Sequence, residues 1–157
     1  MECEIYLRPL QIRDAEISFK WRNDPCIWKY TGSVPDRLIT LEIELEWINK
    51  VLLRENEKRY AICLLETNQY IGNVQLTSIE NDSAEFHIFI GDTNFWNMKI
   101  GRKASKLIID IGFNEFNLSE IYLHVSKNNK AAFKSYVQCG FVVASENDLN
   151  YKMVFKK

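Results

Sequence analysis

The spacing of apolar positions changes several times along the chain, and each change marks an element. Residues 4–8 (EIYLR) predict a first strand, and the stretch QIRDAEISFKWRN after Pro9 predicts a short amphipathic helix that stops near Asn23-Asp24-Pro25. Beyond the turn-rich TGSVPDR, Thr40 can cap a second helix in which Leu41, Leu45, Ile48 and Leu52 share a face, ending by about Asn56. From Arg59 the pattern becomes β-rich. RYAICLLE, YIGNVQLTSI and AEFHIFIG are parted only by Thr67-Asn68-Gln69 and Glu80-Asn81-Asp82-Ser83, which predicts three consecutive antiparallel strands. Ile100, Ala104, Leu107, Ile108 and Ile111 mark a third helix running to about Phe116. The strand IYLHV at 121–125 follows, then a helix from Asn129 to Gln138. Gly140-Phe141 restarts the chain as a strand, and Tyr151 to Phe155 supplies the last. The order β, α, α, β, β, β, α, β, α, β, β predicts an α+β domain with a mixed central sheet and helices on both faces. No repeat or linker divides residues 1–157, so a single domain is expected.

Composition narrows the function classes more than it selects one. With 157 residues, 46% of them hydrophobic and 26% charged, the chain can bury a full core. Twenty Lys and Arg against 21 Asp and Glu leave a formal charge of −1 with no basic block, which argues against nucleic acid as a partner. Cys3, Cys26, Cys63 and Cys139 form no CxxC pair, and His87 and His124 stand apart, so no metal site is expected. The acidic MECEIYLRPL does not resemble a signal peptide, and runs such as YAICLL are too short to span a bilayer. A cytoplasmic protein with no membrane partner is the expectation, as a monomer or a homodimer.

Two stretches carry chemistry. FWNMKIGRKA, residues 95–104, lies between a strand ending at Ile90-Gly91 and a helix starting near Ile100. The first turn of a helix presents unpaired N–H groups and the positive end of the macrodipole, so this junction can hold a pyrophosphate with backbone alone. Lys99, Arg102 and Lys103 add positive charge there, which opposes the macrodipole and would be offset by an anionic ligand. From these residues alone, an ordinary helix cap with three solvated cations stays open. The second stretch, NKAAFKSYVQCGF, sets Ala132 and Tyr136 on one helix face between Asn129 at the start and Gly140 at the end. A phenol there can donate a proton to a leaving thiolate, or can be packed core.

The pattern N-x-x-A-x-x-x-Y-x-x-x-G-F, preceded by a strand, a loop and a helix with Ile100-Gly101 at its start, resembles the GNAT superfamily of N-acetyltransferases. LRPLQIRDAEISFKWRNDP also resembles the opening of the branch that contains ribosomal-protein N-terminal acetyltransferases and nucleotide-linked amino-sugar acetyltransferases. The resemblance implies a three-layer α/β/α fold whose mostly antiparallel sheet splays between strands 4 and 5, with acetyl-CoA as acetyl donor in the opening. It places the pantetheine arm on the backbone of Phe89, Ile90 and Gly91, with one N–H polarising the thioester carbonyl. The pyrophosphate falls on the loop from Trp96 to Arg102, through Asn97, Met98, Lys99, Ile100 and Gly101. The family pattern Q/R-x-x-G-x-G/A meets Trp96, Lys99 and Gly101, so only Gly101 matches, and Lys99 stands where glycine is usual.

The resemblance further gives Tyr136 the role of protonating the departing thiolate and Asn129 a cofactor contact. Glu85 and His87 alternate on one strand face and are the candidate base, His87 directly or through water with Glu85 assisting. His124, which faces away from the side of Ile121, Leu123 and Val125, has the weaker claim. Trp21, Trp28 and Tyr30 fall where this fold binds its acceptor, a small-molecule amine. The best expectation is the amino group of a nucleotide-linked sugar. A protein N-terminus is the alternative, and a catalytically silent CoA-binding domain is the contrasting one.

Overall fold

A computed structural model describes residues 2–29 and 34–157. Seven strands form one sheet in the order β1-β2-β3-β4-β5-β7-β6. They are β1 (Ile5–Pro9), β2 (Lys58–Leu64), β3 (Tyr70–Glu80), β4 (Ser83–Ile90), β5 (Glu120–Ser126), β6 (Val142–Glu146) and β7 (Asn150–Lys156). Every neighbouring pair is antiparallel except β4 and β5, which run parallel. That exception follows from the chain path, because β4 reaches β5 only through a crossover helix.

The helices are α1 (Ala15–Arg22), α2 (Pro25–Trp28), α3 (Leu41–Leu52), α4 (Ile100–Asn114) and α5 (Lys130–Cys139). Strand alternation sorts the interior into two layers. Ile62, Leu64, Val74, Leu76, Phe86, Ile121 and Leu123 pack against Ile100, Ala104 and Ile108 of α4, with Ala132, Phe133 and Tyr136 of α5 at the margin. Ala61, Cys63 and Tyr70 face the other way, onto Ala15 and Trp21 of α1 and Ile48 of α3. The result is the expected three-layer α+β fold, open between β4 and β5.

The first helix stops where expected, α1 ending at Arg22 with Asn23 as its C-cap, but the chain restarts at once: the Asp24 carboxylate caps Cys26 N–H, and Pro25 sits at the first position of α2. Proline suits that position because its missing N–H would be unpaired there anyway. The buried seam of α3 is Glu44, Ile48 and Val51, while Leu41 and Leu52 are exposed. On α4 the seam is Ile100, Ala104, Ile108, Ile109 and Phe113, with Leu107 turned outward. In both helices the apolar stripe is wider than the surface it meets.

Candidate active site

The opening comes from the sheet itself. β4 and β5 are paired only at Ser83–Glu120, Ala84–Ile121 and Glu85–Tyr122, after which they diverge. Antiparallel strands point alternate residues' N–H and C=O groups at one neighbour. Gly91 N–H donates to Ile71 O at 2.8 Å, so Gly91 and, two residues back, Phe89 face β3 with their backbone groups. Those of Ile88 and Ile90 therefore face the opening. The Ile90 carbonyl accepts from Trp96 Nε1 at 2.8 Å, so the Ile88 groups and the Ile90 N–H form the strand edge beyond the last β4–β5 pair among the described residues. Of the three residues expected to offer backbone here, only Ile90 points into the gap, and Ile88, two residues before it, joins it. Gly91 serves packing instead, since a Cβ there would lie 2.0 Å from the Trp21 ring.

On one side of the opening stands the N-terminus of α4. Helices α2, α3 and α5 are each capped by a side chain, from Asp24, Thr40 and Asn129. Helix α4 has no such cap: Lys99 precedes it with φ 63° and ψ 13° and contributes no side-chain bond. Its first N–H groups stay available to an anion. Asn97 is also left-handed, with φ 62°. Met98 packs partly into the core and Ile100 is fully buried, so both anchor the loop by their side chains. A Cβ built on Gly101 meets nothing within 4 Å. Neither its backbone nor its packing requires glycine, and the bare surface there is room for a ligand beside the helix start. These features fit the phosphates of acetyl-CoA.

The expected cluster of three cations is not formed. Lys103 Nζ bonds Cys3 O and Glu4 Oε1, both at 3.0 Å, and ties α4 to the segment before β1. Arg102 reaches Gln138 of α5 through Nη2, and its buried Nε has no partner among the described residues. Of these three cations, Lys99 alone lines the cleft.

Helix α5 brings Tyr136 to the same side. Its ring meets Phe86 and Phe141 edge-on, with centroids 5.7 and 5.9 Å apart. Loss of solvent, with a smaller contribution from Cys139, pushes its pKa up to about 12, so it holds its proton at neutral pH. Asn129 Oδ1 accepts from Ala132 N–H at 3.3 Å and starts the helix.

On the opposite side of the sheet, α1, α3 and the outer faces of β2 to β5 complete a cleft of about 720 Å³ that continues through the opening to Tyr136. Trp21 is a wall rather than a free platform: it is 9% exposed and packs on Tyr70 at 4.8 Å. Trp28 also lines the cleft, while Tyr30 lies outside the described residues. Several lining residues had no sequence signal. Glu44, 1% exposed, pairs with Arg22 at 3.0 Å and accepts from Ser18 Oγ at 3.2 Å. Arg22 and Arg59 sit 5.2 and 5.1 Å from the ring of Trp47. His87 Nε2 lies 2.9 Å from Glu85 Oε2, as the shared strand face requires. His124 joins them, with its Nε2 3.6 Å from Glu85 Oε1. The side of β5 that His124 occupies is thus the cleft side, which corrects its lower rank. Among the described residues no group of acids, histidines and cysteines could hold a metal ion. None of the described helices is long and apolar enough to cross a membrane.

A parallel pair splayed beside an uncapped helix, with a protonated phenol on one side and imidazoles on the other, has room for a phosphate-bearing ligand and groups able to give and take protons. The chain matches the acetyltransferase (GNAT) domain over residues 4–142 and belongs to that family. It is 31% identical over 144 residues to the spermidine N(1)-acetyltransferase of Vibrio cholerae, covering 90% of this chain and 81% of that one. It is 27% identical over 149 residues to the acetyltransferase PseH of Campylobacter jejuni, covering 94% and 89%. The crystal structure of spermidine N-acetyltransferase from Vibrio cholerae in complex with CoA and spermine is similar with a TM-score of 0.87 and 26% identity. The match covers 97% of this chain and 95% of that one. The protein is an N-acetyltransferase that uses acetyl-CoA to acetylate an amine.

Proposed function

We propose that the acceptor is the amino group of a neutral or anionic small molecule, best a nucleotide-linked amino sugar. One observation carries this reading: the charged groups lining the described cleft are Arg22, Arg59, Lys99 and a single carboxylate, Glu44. Glu44 is already paired with Arg22. A polyamine brings several ammonium groups into the cleft and needs carboxylates to meet them, since a desolvated charge without a partner is costly. A sugar diphosphate instead needs cations and hydrogen-bonding groups, which Arg22, Arg59, Asn73, Gln75 and Thr77 supply.

Acetyl-CoA, when bound, supplies an activated acetyl group and a thiolate leaving group. Lys99, Gly101 and the first N–H groups of α4 would hold its phosphates, and Ile88 and Ile90 would offer backbone at the opening. His87, oriented by Glu85, takes the proton of the amine. With Nε2–H directed at the carboxylate, its Nδ1 is the basic atom. Tyr136 gives its proton to the departing sulfur from the far side of the sheet. Acid and base are thus kept apart and do not neutralise each other.

The test is release of free thiol from acetyl-CoA in the presence of a UDP-linked amino sugar, spermidine, an N-terminal peptide, or no amine. Release with the amino sugar at a kcat/KM well above the other amines is expected. Preference for spermidine would overturn the charge argument, and preference for the peptide would make a protein N-terminus the acceptor. Turnover with none of the amines would overturn the amino-sugar assignment and place the acceptor outside these three classes.

A further inference from the structure

The last paired residues of the parallel strands are Glu85 and Tyr122. Extending that register two residues sets His87 opposite His124, one on each lip of the opening, both turned away from Phe86 and Leu123. The Glu85 carboxylate lies at the apex of this fork. Its Oε2 is hydrogen-bonded to His87 Nε2 at 2.9 Å, and its Oε1 faces His124 Nε2 at 3.6 Å, beyond hydrogen-bond distance but close enough to attract a protonated imidazole. Both imidazoles line the cleft, whereas Glu85 is 21% exposed and stands behind them. His124 is held in turn: the Tyr122 ring meets it edge-on at 6.1 Å, and Lys152 Nζ lies 4.8 Å over Tyr122.

We infer that His124 is a positioning residue for the base. A carboxylate at the end of a Glu side chain turns about its last torsion, which is broad and nearly two-fold. With one oxygen facing His124, that torsion is biased toward the orientation in which the other oxygen meets His87. His87 Nε2–H then stays on Glu85, which leaves Nδ1 to accept the amine proton. No bond to His124 forms or breaks in the reaction. The inference rests on His87 as base, and its own content is the route from His124 through Glu85.

Four variants test it in steady-state kinetics with acetyl-CoA and the best acceptor: His124→Leu, His124→Gln, His87→Ala, and His87→Ala combined with His124→Leu. His124 is half exposed, so these substitutions leave the core intact. His124→Leu is expected to lower kcat roughly tenfold, a part of the 10²- to 10⁴-fold a general base supplies, with both KM values changed less than twofold. His124→Gln keeps an N–H donor and is expected to restore most of the loss. In the His87→Ala background the second substitution is expected to add nothing, because residues acting as one unit are not additive. A full-rate His124→Leu beside a slow His87→Ala would overturn the inference alone, as would an equal loss in both backgrounds. A full-rate His87→Ala would remove the base assignment and the inference with it.

Discussion

Lys99→Gly separates two effects that the parent residue combines. Lys99 sits at φ 63° and ψ 13°, left-handed backbone that costs an L side chain about 1–2 kcal/mol. Glycine removes that strain but adds roughly 0.5–1 kcal/mol of chain entropy to be lost on folding. The difference, on the order of 0.5–1 kcal/mol, favours the variant. For a chain of this size that raises the unfolding midpoint by about 1–4 °C without ligand. Binding moves the other way. Lys99 is an exposed ammonium at the mouth of an uncapped helix, and an exposed pair with phosphate is worth roughly 0.2–1 kcal/mol. Its loss weakens the Kd for acetyl-CoA by up to about fivefold, with a smaller difference at high salt. Calorimetric titration at two ionic strengths, beside thermal unfolding of the free protein, reads both numbers. Tighter binding by the variant would show that the side chain crowds the phosphate and would refute the countercharge reasoning. A lower unfolding midpoint would refute the strain argument.

Three further outcomes follow from the geometry. Gly101→Ala meets no atom within 4 Å, so it should raise stability by up to about 1 kcal/mol in urea unfolding while acetyl-CoA binding weakens. Gly91→Ala drives a Cβ to 2.0 Å from the Trp21 ring and should cost about 1–3 kcal/mol in the same assay, with Trp fluorescence changed. Tyr136→Phe keeps the contacts with Phe86 and Phe141 but should lower kcat about 10²-fold at unchanged KM. Because burial raises the Tyr136 pKa to about 12 from 10.0, its stability contribution is complete below pH 10 and is lost as pH rises through about 12. Denaturant midpoints of parent and Tyr136→Phe should accordingly converge or cross only above pH 10.

The elements were legible because their signals are local. Period, caps and turn residues fixed the strands and the five-part helical inventory except α2, whose Asp24 cap and leading Pro25 are ordinary start signals that also read as a stop. The phosphate loop was legible by position and not by glycine count. Lys99 hides its left-handed backbone, since only a glycine there would have advertised it. What escaped notice depends on partners distant in sequence. Lys103 is drawn to Glu4, 99 residues away, and the backbone of Gly91 is claimed by Ile71. Alternation showed which side of β5 His124 takes. That this side meets Glu85 follows only from the parallel pairing of β4 and β5, which no local pattern encodes.

The sheet that separates α4 and α5 from α1 and α3 is also a boundary for change. Lys99 and Gly101 at the start of α4 and Tyr136 of α5 line the cleft from one layer, whereas Arg22, Glu44 and Trp47 line it from the other. A lineage can therefore rebuild the second layer for a different amine while the first, and the opening between them, stay as they are. A new acceptor specificity is most economically sought by recombining residues 10–60 between relatives, with the rest of the chain serving as a fixed acetyl-delivering chassis.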